Sequence, residues 1–141
     1  MHTLNSIIND DSDPPEPIID NGILLPESML MIIGPPKVGK TFLAYNFATA
    51  MAAGKDFAGF KIKEKSRVLY LSLEGGYYPN RRRIRRITKG MDGETLKRAN
   101  YGSPHRLQLD KQQDYEYIMG TISDLETDVL ILDPLIKFHT Q

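Results

Sequence analysis

Gly34-Pro35-Pro36-Lys37-Val38-Gly39-Lys40-Thr41 places two glycines, a lysine and a hydroxyl at the fixed positions of the pattern G-x-x-x-x-G-K-[ST]. Wrapping a polyphosphate requires backbone N–H groups at close range. The glycines permit that path, and a following helix adds N-terminal donors and the positive end of its dipole. In this chemistry the Lys40 ammonium meets the β- and γ-phosphates and the Thr41 hydroxyl ligates Mg²⁺. The expected nucleotide-binding stretch is Gly34, Pro35, Pro36, Lys37, Val38, Gly39, Lys40, Thr41 and Phe42, with ATP as substrate and Mg²⁺ as cofactor. Four fixed positions recur by accident in on the order of one chain in a few hundred at average residue usage. Here the motif also lies between an apolar run and a helical stretch, the context that supports it.

Such a loop works with an acid at the mouth of a neighbouring strand, because Mg²⁺ is held partly through a carboxylate and its waters. Asp133, directly after Val129-Leu130-Ile131-Leu132, is the candidate Walker B metal ligand. The plainer alternative is a strand-end Asp capping the turn before Pro134. Hydrolysis also needs a group that orients or deprotonates the attacking water. Glu74 ends the run Arg67–Leu73 and precedes Gly75-Gly76, so it falls on the same carboxyl edge of a parallel sheet. On spacing alone a catalytic carboxylate and a solvated junction Glu weigh equally.

Arg81, Arg82, Arg83, Arg85, Arg86 and Lys89 put six cations into nine residues with no acid among them. On a helix, Ile84 and Ile87 face inward and most of the cations outward, making Arg82, Arg85 and Arg86 candidate contacts to single-stranded DNA, with Tyr77 and Tyr78 placed to stack on bases. A solvated face paired with acids elsewhere is at least as good an account. His105 and His139 are isolated, and Tyr101, Tyr115 and Tyr117 are expected to pack. Thr88-Lys89-Gly90-Met91-Asp92 only faintly resembles a guanine-reading loop, which favours adenine.

The elements that must position these groups follow from the rest of the chain. At 141 residues, with 18 basic against 18 acidic side chains and no Cys, the chain fits one domain. Its composition excludes a disulfide scaffold, a wholly disordered chain and thiol or Cys-metal chemistry. Zero net charge argues against a dedicated polyanion binder. No apolar run approaches the roughly 20 residues of a membrane span, and the first cation is Lys37, so a cytoplasmic protein without a membrane partner is expected. Residues 1–21 read as an extended, acidic, Pro-rich lead-in and 22–141 as the nucleotide-binding domain. Met29–Ile33 reads as a strand, Lys40–Ala53 as a helix stopped by Gly54, and Arg67–Leu73 as a strand buried on both faces. Pro79–Lys89 reads as a helix, as does Asp114–Glu126 with Tyr115, Ile118, Met119, Ile122 and Leu125 on one stripe. Asp128–Leu132 is the last strand. The alternation implies an α/β fold with a mostly parallel sheet and helices on both faces.

From Gly22 onward the chain resembles the RecA-like P-loop ATPases, and within the AAA family the RepA-type replicative helicases. Three segments carry the likeness in order: IIGPPKVGKTFLAYNFATAMAAGKDFAGF, VLYLSLEGG and DVLILDPLIKFH. The resemblance implies that Lys40 and Thr41 bind phosphates and Mg²⁺, that Glu74 is the catalytic carboxylate and that Asp133 is the Walker B acid. It implies a ring or filament of like subunits acting on DNA as a helicase or as a replication or recombination accessory. Relatives of this kind continue into further strands with a sensor residue, DNA-facing loops and an arginine finger. This sequence ends eight residues after Asp133, so a C-terminally truncated domain is expected. The alternative is a nucleotide-binding module with little or no turnover.

Overall fold

The structure is a computed structural model that describes residues 1–140. Its elements in chain order are α1 (Leu4–Ile8), α2 (Lys40–Ala53), β1 (Val68–Ser72), α3 (Tyr77–Ile87), α4 (Gly93–Lys97), β2 (Ala99–Gly102), α5 (Gln112–Asp124), β3 (Val129–Asp133) and a 3₁₀ turn over Leu135–Phe138. The strands form one parallel sheet in the order β2-β1-β3.

Side chains alternate across a strand, so the central β1 serves two cores. Val68 and Tyr70 join α2, Val129 and the partly buried Ile84 and Ile87 of α3 on one face. Leu69 and Leu71 join Ile118 of α5, Leu107 and Phe138 on the other. All five β1 residues are buried, which explains the unbroken apolar run. The architecture is α/β with helices on both faces, consistent with a short RecA-like P-loop domain.

α2 buries eight of its residues, among them Ala44, Ala48 and Ala52, whose small side chains suit close approach to the sheet. It stops where expected: Gly54 takes φ +62°, and its N–H reaches the carbonyls of Ala50 and Met51. A Cβ there would lie 2.9 Å from Lys65 Cγ and 3.2 Å from the Lys65 backbone nitrogen. On the same face Tyr45 stacks on Tyr70 with ring centres 4.4 Å apart, and Tyr101 of β2 closes the cluster at 6.4 and 6.1 Å.

Several expectations are corrected. Met29–Ile33 forms no regular element and pairs with no strand among the described residues, and all five residues are exposed. Apolar composition supplies strand propensity, but a strand also needs a partner for its backbone groups. The lead-in is not uniformly extended, since Thr3 caps the short helix α1. Nor does packing begin at residue 22: Ile19 is 1% exposed and bridges to Leu24. On α5 only Ile118, Ile122 and Leu125 of the expected stripe pack, whereas Tyr115, Tyr117 and Met119 are exposed. Among the described residues no helix is long and apolar enough to cross a membrane.

Candidate functional site

The Gly34–Thr41 loop leads directly into α2. Gly39 caps the helix at φ +92° with no side-chain hydrogen bond, a conformation that glycine adopts without steric cost. The first helical bond runs from the Leu43 N–H to the Gly39 carbonyl at 2.9 Å. The N–H groups of Lys40, Thr41 and Phe42 therefore have no acceptor within the helix, which is the arrangement an anion requires. Lys37 also takes a positive φ, +63°. At Gly34 a Cβ would meet Val38 Cγ2 at 3.3 Å, so glycine keeps the loop closed. Lys40 folds back and donates from Nζ to the carbonyls of Gly34 at 2.7 Å and Pro35 at 2.6 Å. Its ammonium is thus held inside the curl of the loop. Val38 and Phe42 are exposed on its rim.

The loop meets the sheet through one carboxylate oxygen. Thr41 Oγ1 donates to Asp133 Oδ2 at 2.8 Å, and Tyr70 Oη donates to the same oxygen at 2.6 Å. Asp133 sits opposite Ser72 in the β1–β3 register, at the carboxyl end of β3. With its proton on Asp133, the Thr41 hydroxyl keeps its lone pairs for a cation. Mg²⁺ uses one or two protein oxygens and completes its shell with waters and phosphate oxygens, so this pair fits it. Among the described residues no cluster of three or more His, Asp or Glu offers a larger metal site. Burial, reinforced by the bond to Asp133, pushes the Tyr70 phenol far above its ordinary range, so it remains a donor.

Glu74 lies just beyond β1 on the same carboxyl edge of the sheet. Its backbone is fixed by Asn80, which is 1% exposed and donates from Nδ2 to the Glu74 carbonyl at 2.7 Å. The Ser72 hydroxyl donates to the same carbonyl at 3.1 Å. Gly75 and Gly76, at φ +77° and +69°, turn the chain from β1 into α3. Glu74 Oε1 lies 3.3 Å from Lys137 Nζ, in the turn after β3. The structure thus brings Thr41 and Asp133 into contact, and separately pairs Glu74 with Lys137.

The expected nucleic-acid residues lie on α3, where Arg82, Arg85 and Arg86 are exposed. Further along, Asp92 is a helix cap, accepting from the N–H and hydroxyl of Thr95, both at 2.8 Å. The faint guanine-loop pattern is accounted for by that capping role. His139 is exposed, with Nδ1 2.7 Å from the Thr140 carbonyl.

Three residues escaped sequence reasoning. Tyr70 carried one signal, a phenol inside an otherwise aliphatic strand, which needs a hydrogen-bond partner once buried. Asn80 and Lys137 carried none, because their roles depend on how α3 and the turn after β3 return to the sheet edge.

A family model described as an AAA domain matches residues 3–141, nearly the whole chain. Neither the curated proteins nor the solved structures give a match. A phosphate loop tied to a strand-end acid across a parallel sheet is the arrangement such a nucleotide-binding domain requires, and with the match over almost its full length the chain belongs to the AAA-domain family.

Proposed function

We propose that this chain binds Mg·ATP at Gly34–Phe42 and hydrolyses it as a cytoplasmic RecA/RepA-type ATPase that acts on DNA, in helicase, replication or recombination work, as a ring or filament of like subunits. The observation that carries the reading is the bond between Thr41 and Asp133, which joins the loop to a strand end 92 residues away. The family supports nucleotide binding. In this mechanism a water oxygen bonds to the γ-phosphorus while the bond to the β–γ bridging oxygen breaks, giving ADP and phosphate. Glu74 accepts the water's proton, and Lys40 and the N–H groups opening α2 stabilise the transferred charge. Thr41 and Asp133 would hold Mg²⁺, which would supply positive charge against the phosphate oxygens. Asn80 fixes the backbone from which Glu74 projects.

A second reading, nucleotide binding with little turnover, draws on the Glu74–Lys137 pair, which occupies the proposed base. Calorimetric titration of Mg·ATP, followed by phosphate release with and without single-stranded DNA, separates the two. Hydrolysis predicts micromolar binding that is lost in Lys40→Ala, together with turnover lost in Glu74→Gln while binding persists. Equal turnover in Glu74→Gln and the unsubstituted chain rules out Glu74 as base. Binding with no turnover under either condition selects the second reading.

A further inference from the structure

α3 has two unlike sides. Ile84 and Ile87 pack against the core shared with α2 and the sheet. Tyr78, Arg82, Arg85 and Arg86 are exposed at helical spacing and share one outer stripe, and the exposed Lys89 lies in the turn just beyond the helix. A solvated cationic face is ordinarily relieved by neighbouring acids. Here no carboxylate among the described residues lies within ion-pair distance of Arg81, Arg82, Arg85, Arg86 or Lys89. Tyr78, the arginines and Lys89 instead line a shallow groove of about 310 Å³. At its N-terminal end the Arg81 guanidinium sits 4.9 Å from the Tyr78 ring centre and 5.9 Å from that of Tyr77, and the two rings meet edge to face at 5.3 Å. Tyr78 is nonetheless 69% exposed, so a ring held by its neighbours still offers a surface to solvent.

We propose that this stripe of α3 is a docking surface for single-stranded nucleic acid, with Arg82, Arg85, Arg86 and Lys89 on successive phosphates and a base stacked at Tyr78. The inference rests on the reading of the chain as acting on DNA, and assigns that contact to a particular helix face. From Tyr78 to Arg86 the helical part of the stripe runs about 12 Å, the length of roughly three to four stacked nucleotides. Charge complementarity selects a polyanion, and the exposed aromatic selects one whose bases are free to stack, which a duplex withholds. An anionic membrane fits less well, because the aliphatic side chains of α3 are turned into the core and leave no apolar face to insert. α3 also starts just after Glu74, and Asn80 of its first turns holds the Glu74 carbonyl. A strand seated on this helix therefore rests on the element that positions the proposed base.

The test is fluorescence anisotropy of a labelled oligothymidylate of about 12 nucleotides, within the range one site covers, titrated with the full chain between about 50 and 200 mM salt. The expected result is binding that weakens steeply with salt. Arg82→Gln, Arg85→Gln and Arg86→Gln combined flatten the logarithmic salt slope by about 2, at roughly 0.7 per phosphate contact on a single strand. Tyr78→Ala weakens binding about 5- to 150-fold with the slope unchanged. Replacing the same three arginines by lysine restores the slope. Circular dichroism and Mg·ATP titration on each variant confirm the fold independently. An unchanged slope in the triple Gln variant overturns the proposal, as does tighter binding to a duplex of equal length. Binding to anionic vesicles without binding to the oligonucleotide overturns it as well. Lys40→Ala separates the two readings: oligonucleotide binding retained by a chain that no longer takes up Mg·ATP supports this surface whatever the fate of the ATPase assignment.

Discussion

Removing one hydroxyl, in Tyr70→Phe, tests the joint between the phosphate loop and the sheet. The Tyr70 ring is 2% exposed and stacks on Tyr45, contacts that phenylalanine preserves. What disappears is the 2.6 Å bond to Asp133 Oδ2, made to a charged acceptor. Such bonds contribute about 1.5–3 kcal/mol. Asp133 is only partly buried, so water recovers some of the loss and the lower end, about 1.5 kcal/mol, is expected. For a chain of this length that corresponds to a drop in Tm of roughly 6 °C. Urea unfolding followed by circular dichroism measures the change, and a double-mutant cycle assigns it. In an Asp133→Ala background the phenol has lost its acceptor, so Tyr70→Phe should then cost nothing or even stabilise. An equal cost in both backgrounds would refute the bond as the origin of the effect.

Three other outcomes follow from the same structure. Asn80→Leu deprives the Glu74 carbonyl of the shorter of its two buried donors and should cost about 1–3 kcal/mol in urea unfolding, with turnover falling further than Mg·ATP affinity. Gly54→Ala must hold a side chain at φ +62° against Lys65, and should lower stability by about 1–2 kcal/mol in the same assay. Burial raises the phenols of Tyr70 and Tyr45 in the folded chain, so both stay protonated where the unfolded chain ionises near pH 10. Their contribution is complete below that pH and declines as pH rises above it, so denaturation midpoints measured from pH 8 to 11 should be level and then fall, and fall less in Tyr45→Phe.

The parts legible in the sequence were those set by local rules. The end of α2 followed from Gly54, and β1 and β3 from short apolar runs closed by polar residues. The pairing of Asp133 with Thr41 followed from chemistry, since a phosphate loop needs an acid at a neighbouring strand end. Met29–Ile33 had the right composition, yet no strand pairs with it among the described residues, and propensity says nothing about partners. β2 was missed because Ala99-Asn100-Tyr101-Gly102 has neither a β-branched run nor an apolar one; its ladder with β1 makes it a strand. Glu74 was placed at the correct edge, while the groups that hold it, Asn80 and Lys137, become its neighbours only when the chain has folded.

The 92-residue separation between Thr41 and Asp133 also bears on how the molecule is made. A ribosome adding about 5–20 residues per second delivers β3 roughly 5 to 18 s after the phosphate loop. For most of that interval the eight core-facing residues of α2 exist with no completed sheet to cover them. The first parallel pairing, of β1 with β2, also joins distant stretches of chain and is inherently slow. During this window the Thr41 hydroxyl has no Asp133 carboxylate to bond, so the loop is not yet tied to the sheet. Early in its synthesis this chain therefore carries a phosphate loop whose partner carboxylate does not yet exist.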